Sequence, residues 1–222
     1  LVRLLHLASP ALPVGAFSYS QGLEWAVESG GVASEALAGQ WIGEAMRLSL
    51  ARCEVPALIG LMRAWKAGNA AELARLNAEF LATRETAELR SETLQMGYSL
   101  ARLLRDLPET TDSTRQTLAG LGETAFPTAW AAAAAHWQIA EDDAAAAYLW
   151  AWLENQVMAA VKLVPLGQTA GQRLLASLSP EIPELSQKAR ERADKEDWEN
   201  FTPGLTLASC QHETQYTRLF RS

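Results

Sequence analysis

Hydrophobic residues recur at i, i+3 and i+4 from one end of the chain to the other, and runs of β-branched residues that mark strands are almost absent. That period predicts an all-α protein, a single-domain helical bundle of about eight to ten helices with an extended C-terminal tail. The first 19 residues form a Pro- and Gly-containing N-terminal segment. A first helix is then expected over Ser20–Glu28, stopped by Gly30 and Gly31. Ser34 starts a second helix, whose buried side carries Leu37, Trp41, Ile42, Ala45, Leu48 and Leu50, and which Pro56 kinks or divides. Residues 70–104 read as one long helix. The charged set within it, Arg84, Glu85, Glu88, Arg90 and Glu92, suits i, i+4 pairing on a solvated face.

Pro127 suits a helix start, and Trp130 and Trp137 among alanines read as close helix packing. From Asp143 to Leu163 the chain is apolar nearly all round, which predicts a central helix covered by others. Its polar exceptions, Glu154, Asn155, Gln156 and Lys162, must reach solvent, a partner or each other. A charged helix runs from Pro183 to about Trp198, and residues 204–222 form the tail.

Composition narrows the function. A chain of 222 residues buries one sizeable core, and its net charge of -7 argues against nucleic acid or an anionic membrane as a partner. The longest apolar run, Ala144–Leu153, falls well short of the roughly 18 residues of a membrane span. The start, Leu1–His6, lacks the long apolar core of a secretory leader. Cys53 and Cys210 lie far apart and define no disulfide framework, which fits a reducing cytoplasm.

No phosphate-binding loop, nucleophile elbow or H-E-x-x-H element is present, so no catalytic constellation is assigned. Three histidines, His6, His136 and His212, argue against a multi-histidine metal cage, and no resident metal or tightly bound cofactor is expected. Cys210 and His212 are two apart. They read either as a transient grip on a borderline divalent cation or as a small thiol beside a hydrogen-bonding imidazole.

The closing sequence from His212 to Ser222, HETQYTRLFRS, places Tyr216, Leu219 and Phe220 among the cations Arg218 and Arg221. Apolar anchors of this kind need a receiving surface, supplied by the chain's own domain or by a second protein. Glu24 reads as a carboxylate that complements a helix dipole or pairs with an arginine, and Lys162 as a lysine reaching outward from an apolar helix.

Three segments in this order, LASPALPVGAFSYSQGLE at Leu7–Glu24, VKLVPLGQ at Val161–Gln168 and the closing HETQYTRLFRS, resemble the UreF family of urease accessory proteins over essentially the full length. The resemblance implies a non-enzymatic scaffold, commonly a homodimer, that joins UreD (UreH in some organisms) to the GTPase UreG. The resulting complex delivers nickel to the urease apoprotein and regulates GTP hydrolysis by UreG. It further implies that His212, Tyr216, Arg218, Leu219, Phe220, Arg221 and Ser222 dock on UreD, the tail becoming ordered there. Glu24 and Lys162 are the residues it implies for UreG, with nickel handled by the complex and not by a site in this chain.

Overall fold

A computed structural model describes all residues from 1 to 222. It contains no β-strand. Two helices of six residues, α1 (Val2–Leu7) and α2 (Leu23–Glu28), precede ten longer ones. Side-chain caps set several starts: Ser34 accepts from Leu37 N at α3 (Glu35–Ala45), and Asn69 accepts from Glu72 N at α5 (Ala70–Ala82). Thr86 does the same for Leu89 N at α6 (Ala87–Asp106), and Thr111 for Thr114 N at α7 (Asp112–Gly120). Each oxygen satisfies a backbone donor that the first helical turn leaves without a partner.

The rod that begins at α3 passes through a π-helical stretch, Met46–Glu54, and continues as α4 (Val55–Lys66). Backbone angles stay helical at both junctions, so Pro56 neither kinks nor divides the rod. Proline lacks an N–H, and at the head of α4 that missing donor falls where the wider π register is already ending.

At the centre lies α8 (Phe126–His136), whose Ala129, Ala131, Ala132, Ala133 and Ala134 are all buried with Trp130. Their small side chains let α4 and α6 pack on either flank, as the alanine pattern predicts. Gly97 makes the closest of these approaches possible: a Cβ there would lie 2.0 Å from the carbonyl oxygen of Thr124. Around this centre wrap α9 (Glu141–Leu163), α10 (Gln168–Leu178) and α11 (Ile182–Asp194), and 48 buried residues form one continuous core. No helix is long and apolar enough to cross a membrane.

Several expectations change. The long helix over 70–104 is two, broken at Thr83–Thr86, because Thr86 caps α6 and Arg84 turns inward. Of the charged set, Glu85 is exposed and Arg90 pairs with Glu123 at the surface, but Arg84, Glu88 and Glu92 are not on a solvated face. Arg84 Nη1 donates to Glu54 Oε1 at 2.7 Å, both side chains are less than a tenth exposed, and Tyr148 donates its hydroxyl to Glu54 Oε2 at 2.8 Å. Glu88 and Glu92 face the C-terminal segment. Leu37 and Leu48, expected inside, are 41% and 43% exposed. The tail is not extended throughout, since Pro203–His212 forms a twelfth helix, α12.

Removing one member of a buried ion pair strands the other charge. Arg84→Met should therefore lower the unfolding free energy by about 3–5 kcal/mol in urea titration, and Glu54→Gln added to it should recover part of that loss.

Candidate functional site

The C-terminal ten residues return to the body of the protein and are gripped by one carboxylate. Glu24 sits in the first turn of α2, and its N–H donates to Ser20 Oγ. Gly22 precedes it at φ 80°, a conformation glycine adopts freely. A Cβ at that position would stand 2.9 Å from Ser209 N, so α12 can approach α2 closely only over a glycine. This contact brings His212, the last residue of α12, beside Glu24.

The carboxylate of Glu24 then accepts two backbone hydrogen bonds and meets the His212 ring. Leu219 N donates to Oε1 at 2.6 Å, Phe220 N donates to Oε2 at 2.8 Å, and His212 Nε2 lies 3.1 Å from Oε2. On the other side of the imidazole, His212 Nδ1 lies 2.7 Å from Glu88 Oε2. The ring is fully buried between two carboxylates, and only the protonated form donates from both nitrogens. Glu88 also accepts from Arg218 Nη1 at 2.8 Å. The cluster thus sets His212 and Arg218 against two acids.

Beyond the clasp the chain end is tied down further. Ser222 O accepts from Ser20 N at 2.7 Å and from Ser20 Oγ at 2.6 Å, while Ser222 Oγ donates to Glu92 Oε2 at 2.7 Å. Arg221 N donates to Ser18 O at 2.8 Å. Phe220 is 6% exposed, belongs to the main core, and has Lys162 Nζ 5.5 Å from its ring centre.

Glu24 and Lys162, expected on a surface for UreG, therefore both touch the tail. Glu24 is buried and has both oxygens engaged within the chain, a correction to the idea that it faces a partner. Lys162 remains exposed. Of the tail residues, His212, Phe220 and Ser222 are buried against the chain's own domain, whereas Tyr216, Arg218, Leu219 and Arg221 are exposed. Tyr216 and Leu219, the latter 66% exposed, stand outward, Leu219 between the two arginines and Tyr216 just before the first. Cys210 is exposed while His212 is enclosed with both nitrogens engaged, so the two do not form a ligand pair. Sequence reasoning missed Ser20, Glu88 and Glu92. Only their partners, distant in sequence, reveal them.

Fold and site define an all-α protein whose ordered C-terminus offers an apolar and cationic face. The UreF family model matches residues 32–179, and the chain belongs to that family. Its relatives include proteins named urease accessory protein UreF from Azoarcus sp. (strain BH72), 62% identical, and from Dechloromonas aromatica (strain RCB), 57% identical. Both alignments span 100% of this chain and cover 95% and 97% of those proteins, respectively. A third, from Methylobacillus flagellatus, is 49% identical over 100% of this chain and 97% of its own length.

Glu92 gives the tail attachment a pH dependence. Burial pushes its carboxyl up to about 7, against the lowering effect of donors from Gln21 and Ser222. The folded state then holds a proton that the unfolded chain releases near its ordinary value of 4.5, so stability falls as pH rises from about 4.5 to about 7. Urea midpoints measured across that range should drop, by up to about 3 kcal/mol in free energy, and Glu92→Gln should flatten the slope.

Proposed function

We propose that this chain is a non-enzymatic scaffold of urease maturation. It joins UreD (or UreH) to the GTPase UreG in a cytoplasmic complex that carries nickel to the urease apoprotein, and it regulates GTP hydrolysis by UreG. The observation that carries the reading is the outward presentation of Tyr216 and Leu219 on a tail whose backbone is already fixed by Glu24. A preordered aromatic anchor bordered by cations suits a partner's groove, because less conformational freedom is lost on docking.

In this reading UreD meets the exposed tail residues Tyr216, Arg218, Leu219 and Arg221. His212, Phe220 and Ser222 act from beneath, by holding that face in shape. Lys162 contributes to the surface for UreG, and Glu24 acts through the tail. The scaffold is a homodimer that presents two such faces. Nickel is cargo of the complex, in keeping with a His212 whose nitrogens are both occupied.

Co-purification with UreD, followed by UreG, tests the proposal. A Tyr216→Ala, Leu219→Ala double variant should keep the wild-type melting temperature and lose about 2–4 kcal/mol of UreD affinity. Phe220→Ala should instead lower the melting temperature, since its ring is part of the core. Unchanged UreD binding by the double variant would move the interface off the tail and overturn the reading.

A further inference from the structure

Each ring nitrogen of His212 meets a carboxylate in a place closed to solvent. Nε2 lies 3.1 Å from Glu24 Oε2, Nδ1 lies 2.7 Å from Glu88 Oε2, and the side chain is 0% exposed. A neutral imidazole has one N–H and one bare lone pair, so it satisfies only one of two facing carboxylates. With the extra proton both contacts are charge-assisted hydrogen bonds. Without it, a nitrogen lone pair points at a carboxylate oxygen where no water can intervene.

Both acids also hold the tail. Glu24 accepts from Leu219 N and Phe220 N, and Glu88 accepts from Arg218 Nη1. Whichever nitrogen is left bare, the repulsion falls on a carboxylate that secures the chain end. That end can leave without unwinding a helix: residues 213–222 form no helix or strand, and within 213–219 only Gln215 is not exposed.

We propose that His212 is a proton-operated latch. Protonated, it keeps the C-terminal segment seated against Glu24 and Glu88; neutral, it lets residues 213–222 lift away and takes apart the outward face of Tyr216 and Leu219. The closed form needs the proton, so closure is favoured at low pH and lost as pH rises through the titration of the imidazole. The latch is a property of the chain alone; only the use made of the tail face rests on the scaffold reading.

The groups around the ring come from several elements. Glu24 of α2 and Glu88 of α6 face it directly, with Arg218 of the tail on the far oxygen of Glu88. Further out, Glu92 of α6 bonds Ser222, Glu213 bonds Ala87 N, Lys162 of α9 lies over the Phe220 ring, and Tyr19 shares Gln95 with Arg221. Cys210 is exposed on α12. Of these, Glu92 is the one whose carboxyl burial pushes up to about 7, so the test is made in a Glu92→Gln background.

The full chain with this substitution and with 15N-labelled histidine is followed by NMR from about pH 5.5 to about pH 9. His6 and His136, which lie against Trp137, serve as internal references. Protection of the Leu219 and Phe220 amides, taken against free-peptide exchange at the same pH, should fall by about tenfold or more at the pH where the His212 nitrogens report loss of the proton. Amides of α8 should keep their protection. Adding His212→Gln should make tail protection indifferent to pH, which also separates the ring from the Cys210 thiol. A His212 that loses its proton while the tail stays protected, a ring that stays in one protonation state throughout, or a pH dependence that survives His212→Gln would overturn the proposal. Should the double variant fail to fold, coincidence of the His212 and tail midpoints in Glu92→Gln still decides it.

Discussion

The acceptance of backbone and imidazole donors by the Glu24 carboxylate is the interaction on which the C-terminal architecture depends. One side chain bonds Leu219 N, Phe220 N and His212 Nε2, residues roughly 190 positions away in sequence. Backbone amides brought against an apolar core must be paired, and Glu24 meets two in succession where no helix or strand does so. Without it, Phe220 could enter the core only by burying unsatisfied amides.

That arrangement divides the tail by burial. Alternate residues face in and out at its end: Phe220 and Ser222 are enclosed, Leu219 and Arg221 are exposed. The enclosed residues contribute stability, through the core and through Ser20 and Glu92. The exposed ones present their side chains outward. A family of accessory proteins whose members assemble with other chains is well served by a face fixed in advance, since ordering has already been achieved within the monomer.

The helical class and the packing role of the alanines around Trp130 were legible because period and residue size are local properties, but the central helix is α8 and not the longer apolar α9, which leaves Met158 and Lys162 exposed. The break at Thr83–Thr86 was not, although Thr86 with its cap to Leu89 N is a local signal that the apolar period overrode. Arg84, Glu88 and Glu92 were misread as solvated because their partners, Glu54, His212, Arg218 and Ser222, come from other elements. For the tail, composition showed that Tyr216, Leu219 and Phe220 needed a surface, yet only the three-dimensional contacts assign Phe220 to the chain itself and leave Tyr216 outside. Glu24 and Lys162 were singled out by resemblance, and their shared contact with the tail follows from geometry alone.

Hydrogen exchange at the Leu219 and Phe220 amides of the isolated protein tests the central claim most directly. If Glu24 clasps the tail, both amides exchange at least about 100-fold more slowly than in an unstructured peptide, and Glu24→Gln speeds them selectively. Exchange at free-peptide rates in the wild-type chain would contradict the clasp and return the tail to solvent.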